Sequence, residues 1–219
     1  KTKVRINPKD ISLEEKKDLC LENSKDYLKE QGVKSTRAIY HDFLKKSYFE
    51  NSEGSQIKQD LIRTYFALNI ISGKGQELES AFERKGASKG FEVIDDVKAM
   101  GDKALENSRM LLNAKVPKGG NSPVICDGSL TDVFIHEAVG HSAEADHVLH
   151  KDSCFEGNLG KVIANDNINI YDDARGNEWG SYFYDDEGVK ADNTEIIKQG
   201  KLRTLLTSRE NAKLLNLPL

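Results

Sequence analysis

The sequence predicts an α+β chain: an antiparallel sheet with packed helices across residues 1–118, then a β-rich domain across 119–219 entered through a distorted helix. Three observations carry that expectation. Residues 35–86 are rich in β-branched and aromatic side chains, interrupted by the turn-forming runs Ser52-Glu53-Gly54 and Gly73-Lys74-Gly75. Helical patterns flank that stretch on both sides. Beyond them, AKVPKGGNSP at 114–123 combines two prolines with two adjacent glycines, and the helix expected next carries histidines at an interval that no regular helix aligns.

Taken in order, SLEEKKDLCLENSKDYLKEQG opens with Ser12 three positions before Glu15, a capping box, and closes on Gly32, a residue suited to the position past a helix end. The β-type stretch that follows reads as an antiparallel meander. In GFEVIDDVKAMGDKALENSRMLLNAK, residues Ile94, Val97, Ala104, Leu105 and Leu111 recur at helical intervals, so a second helix should pack on the sheet. After the proline-glycine stretch, Val124-Ile125-Cys126 reads as a short buried strand and Asp127-Gly128 as a turn. Ser129, with Asp132 three positions on, then starts the next helix. Beyond residue 160, NINIYDDA and GSYFYDDEGVKADNTEIIKQGKLRTLL suggest short strands joined by turns, with the acids Asp172-Asp173 and Asp185-Asp186-Glu187 at turns and hairpin ends.

Composition narrows the function classes. The 32 basic against 36 acidic residues leave no basic surplus, which argues against nucleic acid and anionic membranes as partners. No apolar run approaches the roughly 20 residues of a membrane span, and KTKVRINPKD lacks a signal-peptide core, so a cytoplasmic protein is expected. Cys20, Cys126 and Cys154 are odd in number and widely spaced, which predicts free thiols. The chain has no initiator Met and stops soon after what reads as a helix start, so further sequence is expected at both ends.

The chemistry concentrates in DVFIHEAVGHSAEADH, residues 132–147. Glu137 and His141 share a face of an ideal helix, but His136 and His141 are five apart and point about 140° away from each other. A single π-turn, which holds one extra residue, would bring them nearly into line, and Gly140 is the residue most tolerant of such a distortion. If aligned, the two imidazoles suit a zinc ion, which would acidify a water and polarise a carbonyl, and Glu137 beside them is placed to act as general base. Spacing alone does not settle the matter: an ordinary helix with surface histidines and a routine Glu137–His141 pair fits it at least as well.

The wider text adds a resemblance. HEAVGHSAEAD resembles the H-E-x-x-G-H-x-x-E-G-D signature of the TldD/PmbA family of metallopeptidases. FENSEGSQI resembles that family's SEG turn, and DDEGVKADNTEIIKQGKLRTLLTSRENAKLL its DDEG segment and following strands. The resemblance covers nearly the whole chain and implies a metal-dependent peptidase of the active TldD type. His136 and His141 would be the metal ligands and Glu137 the base, with peptides or unfolded segments as substrate. It also implies a homo- or hetero-oligomer with a sibling subunit, and a third ligand, a cysteine, that lies outside this chain.

Two departures stand out: Ala145 replaces the signature's second glycine, and the third ligand is absent. Cys154, 13 residues past His141, and Cys126 read as buried or partly buried free thiols, and His147 and His150 as solvated. His41 has no partner legible in the sequence. Glu144 and Asp146 match acidic positions of the signature and are either acceptors that orient the histidine rings or a solvated helix end. The alternative function is a non-catalytic peptide-binding or assembly subunit with structural histidines.

Overall fold

A computed structural model describes residues 1–218. The chain forms two compact units, Lys1–Lys118 with Gly176–Ser181, and Gly119–Arg175 with the residues from Tyr182 onward.

The first unit begins with α1 (Leu13–Leu28). The Ser12 hydroxyl accepts from the Glu15 amide at 3.1 Å, and the Glu15 carboxylate accepts from the Ser12 amide at 2.9 Å. Two amide donors that the helix cannot satisfy are thus paired, which contributes on the order of 1 kcal/mol. Three strands follow, β1 (Val33–Glu50), β2 (Gln56–Lys74) and β3 (Glu77–Ala87), in the antiparallel order β1-β2-β3. The first turn is closed by Asn51, whose side-chain oxygen accepts from the amides of Glu53 and Ser55. The second is a two-residue connection, Gly75-Gln76, between paired Lys74 and Glu77. Gly75 adopts φ +63, which a tight hairpin turn demands and glycine supplies without strain.

Alternation along β2 makes Phe66, Leu68 and Ile70 fully buried, packed with Tyr27 of α1 and with Val97, Ala104 and Leu105 of α2 (Val97–Leu111). Each such side chain contributes about 1.5–3 kcal/mol on burial. The inward face of α2 differs from the periodic pattern. Ile94 is buried in a short 3-10 turn ahead of the helix, Leu111 is exposed, and Gly101 and Ser108 are buried instead. Gly101 faces the Tyr27 ring so closely that no side chain fits there, and the Ser108 hydroxyl is paired with that of Ser72 at 2.7 Å. Residues 176–181 complete this unit: the Trp179 ring lies 5.7 Å from Tyr65 and 6.4 Å from His41, giving His41 a neighbour the sequence did not disclose.

The second unit departs from expectation at its start. Val124, Ile125 and Cys126 form no strand and are exposed, Ile125 almost completely, because none of the described residues hydrogen-bonds alongside them as a buried strand requires. The helix α3 (Gly128–Ile135) is capped two residues earlier than the Ser129 start predicts, because the Asp127 carboxylate accepts from the Leu130 amide at 2.9 Å. Beyond it come α4 (Ala145–Leu149), a small antiparallel sheet of β4 (Ile170–Asp173), β5 (Asn193–Lys198) and β6 (Lys201–Leu202), and α5 (Arg209–Leu215). Ala143, Ala145, Phe155, Ile196, Ile197 and Leu202 are among the residues of its core. Asp185 closes the DDEG turn by accepting from the amides of Glu187 and Val189. No helix among the described residues is long and apolar enough to cross a membrane.

Candidate metal centre

Helix α3 ends at Ile135, and the chain continues as a π-helical turn over His136–Gly140. The amide of His141 donates to the carbonyl of His136, five residues back, in place of the four-residue bond of an α-helix. This is the distortion that the five-residue spacing predicts. Gly140 contributes to it differently from the sequence expectation: its backbone is at φ −53, ψ −62, an ordinary right-handed conformation, and a Cβ there would find its nearest neighbours at 3.9 Å. The extra residue is accommodated by the turn as a whole.

The consequence is that the His136 and His141 rings meet edge-on, centroids 4.7 Å apart at 74°. Ligand atoms of His136, Glu137 and His141 all fall within 4.8 Å of one another, and all three residues are exposed. The Glu137 carboxylate lies 4.0 Å from His141 Nε2. Two imidazoles so disposed are donors that zinc accepts, with a carboxylate beside them.

Past the turn the backbone is held firmly. A short 3-10 turn, His141–Ala143, leads into Glu144, which is extended. The carbonyl of Ser142 accepts from the Ser153 hydroxyl at 2.6 Å. Leu206 clamps both neighbours of Glu144, its amide donating to the Ala143 carbonyl at 2.7 Å and its carbonyl accepting from the Ala145 amide at 2.9 Å. Ala143 and Ala145 are completely buried. Ala145, where the resembling signature has glycine, adopts no positive φ, so its methyl group is accommodated without backbone strain.

The remaining residues singled out from the sequence fall as follows. His147, expected to be solvated, is only partly so: its Nδ1 pairs with Asp152 Oδ1 at 3.1 Å and its Nε2 lies 3.6 Å from Glu144. Asp152 holds the His147 imidazole above its ordinary pKa. His150 is exposed. Cys154 and Cys126 are exposed free thiols, not buried ones, and the metal-ligand grouping includes neither. The Cys154 thiol donates to the Ser142 hydroxyl at 3.5 Å. A groove of about 420 Å³ on this unit passes the turn, with Ile135, His136, Glu144, Tyr171 and Leu206 among its lining.

Comparison with known proteins gives these features a context. Residues 6–112 match the model of the PmbA/TldA metallopeptidase central domain, and residues 119–219 match that of the PmbA/TldA metallopeptidase C-terminal domain. The chain belongs to the PmbA/TldD metallopeptidase family. A metalloprotease of Methanothermobacter thermautotrophicus is 39% identical over 216 residues, covering 97% of this chain and 47% of the relative. A zinc metalloprotease TldD homologue of Saccharolobus solfataricus is 30% identical over 196 residues, covering 85% of this chain and 42% of the relative. The chain thus spans about half the length of these relatives. Among solved structures, a Thermotoga maritima protein described as a candidate modulator of a DNA gyrase superposes with TM-score 0.82 at 21% identity, covering all of this chain and 50% of that one. TldE from Thermococcus kodakarensis superposes with TM-score 0.68 at 17% identity over 90% of this chain and 45% of its own. These two likenesses establish a shared fold.

Proposed function

We propose that this chain carries the metal-binding turn of a metal-dependent peptidase, with His136 and His141 as protein ligands of one zinc ion and Glu137 as the general base. The observation that carries the reading is the π-turn, which gathers the ligand atoms of His136, Glu137 and His141 within 4.8 Å where a regular helix would turn the histidines apart. A zinc ion held there would lower the pKa of a water and polarise the scissile carbonyl.

Within that reading the residues divide the work. His136 and His141 supply nitrogen donors, and Glu137 takes the proton from the attacking water and returns it to the leaving amine. The side chain of Glu137 is two-thirds exposed, which keeps it within reach of a substrate. The groove past Ile135 and Tyr171 would receive an extended peptide or an unfolded segment. A tetrahedral zinc site with open access has three protein ligands as a rule, and this turn offers two imidazoles. The third ligand is therefore assigned to sequence beyond this chain. Oligomerisation with a sibling subunit is supported by the fold likeness to TldE, and a cytoplasmic setting by three free thiols among the described residues.

Zinc titration of the 219-residue chain by calorimetry, with cobalt absorption as a second readout, tests the ligand assignment. One weak site is expected, lost in both His136→Ala and His141→Ala. Unaltered affinity in either variant would contradict it.

A further inference from the structure

Glu144 lies outside the grouping of His136, Glu137 and His141, yet its Oε1 is 2.6 Å from His141 Nδ1. An ionised carboxylate only accepts hydrogen bonds, so the proton of this contact is on Nδ1. In a neutral imidazole the other nitrogen, Nε2, then bears the lone pair, and Nε2 is the atom that faces Glu137 at 4.0 Å. The side chain that settles this is mounted on backbone held on both sides. Glu144 sits between two completely buried alanines, each bonded to Leu206, in an extended conformation that interrupts the helix. A chance contact between two residues on a helix surface would have no such mounting. The second oxygen of Glu144 is approached at 3.6 Å by His147, which Asp152 turns from its far side at 3.1 Å.

We infer that Glu144 is a positioning residue that fixes the tautomer and ring direction of His141, presenting Nε2 to the metal side of the turn. Asp146, the other acid after the motif, is exposed and bonds neither ring among the described residues, so the role belongs to Glu144 alone. The consequence for metal binding rests on the ligand assignment above, whereas the tautomer does not. Acceptors that orient a ligating histidine typically change metal affinity by about 10–100-fold when removed.

The test uses the 219-residue chain, metal-free and at about pH 8, above the usual imidazole pKa near 6.5. Nitrogen-15 NMR of the histidine rings should find the His141 proton on Nδ1. In Glu144→Ala it should pass largely to Nε2, while Glu144→Gln, whose amide oxygen still accepts, should keep it on Nδ1. Zinc affinity should fall about 10–100-fold in Glu144→Ala and by less in Glu144→Gln, with circular dichroism confirming that both variants fold. An unchanged His141 tautomer in Glu144→Ala would overturn the inference. So would unchanged zinc affinity in that variant when His136→Ala abolishes binding. A tautomer that shifts as described in a chain that binds no zinc at all would uphold the positioning role and refute the ligand assignment instead.

Discussion

The amide of His141 donates to the carbonyl of His136, and across this π-turn their rings meet edge-on with centroids 4.7 Å apart. The proposed ligand pair depends on this turn. A π-turn is an α-helix with one residue added, so its effect should be reversible by removing one.

Deleting Ala138 should let the turn relax to a regular helix with the histidines four apart and still on one face, so zinc affinity should stay within a few-fold of the unaltered chain. Inserting one alanine after Ala138 should instead swing His141 by about 100° and abolish binding. Calorimetry on both variants measures this. Loss of binding in the deletion variant with the fold intact would show that the π-turn does more than align the rings.

In the first unit, Gly101→Ala should be destabilising even though alanine is the better helix former by about 1 kcal/mol. A Cβ at Gly101 would come within 2.2 Å of the Tyr27 ring, which is itself held by hydrogen bonds from its hydroxyl to the Lys98 carbonyl and the Asp102 carboxylate. Overpacking of this kind costs typically 1–3 kcal/mol, so after the gain in helix propensity a net loss of up to about 2 kcal/mol is expected in urea denaturation. A stabilised variant would mean that α1 and α2 pack less closely than described.

Asp173 should titrate well below the ordinary aspartate range. Arg175 donates to both of its oxygens at 2.8 and 2.9 Å, and holds its pKa down to about 2. Because the folded value lies below the ordinary one, near 4, this contact favours the folded turn above about pH 4 and is lost as pH falls through about 2. Carbon-13 NMR should record a midpoint near 2, rising towards the ordinary value in Arg175→Gln, which keeps only the backbone amide that Asp173 also accepts from. A midpoint near 4 in the unaltered chain would contradict the contact.

Residues 114–127 are exposed and lie outside regular secondary structure, which makes them the segment most open to a protease. We propose the domain boundary there, near 118, and limited trypsin digestion should cut first at Lys115 or Lys118. First cutting within β2 would contradict it.

Much of this was legible in the sequence where the cause is local. The Ser12–Glu15 cap, the Gly75 turn and the alternation that buries Phe66, Leu68 and Ile70 each follow from a few neighbouring residues, and so does the need for a distorted turn between His136 and His141. What was not legible depends on residues distant in sequence. Nothing in the pattern around Ser108 announces Ser72 as its partner, and nothing near His41 announces Trp179. Val124-Ile125-Cys126 has the composition of a buried strand, but burial also requires a partner strand, and none of the described residues provides it. Glu144 was visible as one of two candidate acids. The contact with His141 Nδ1 and the clamp of Leu206 on the flanking alanines distinguish it from Asp146.

The central claim is that Glu137 is the base of a metal-dependent peptidase, and Glu137→Gln tests it most directly. The variant should be made in the full-length protein, with the sibling subunit proposed above, and assayed on an unstructured peptide with a chelator control. A base acts in the transition state and does not hold the metal, so zinc content should be retained while turnover falls by a factor on the order of 10² to 10⁴. Chelator-sensitive turnover undiminished in the Gln variant would contradict the account.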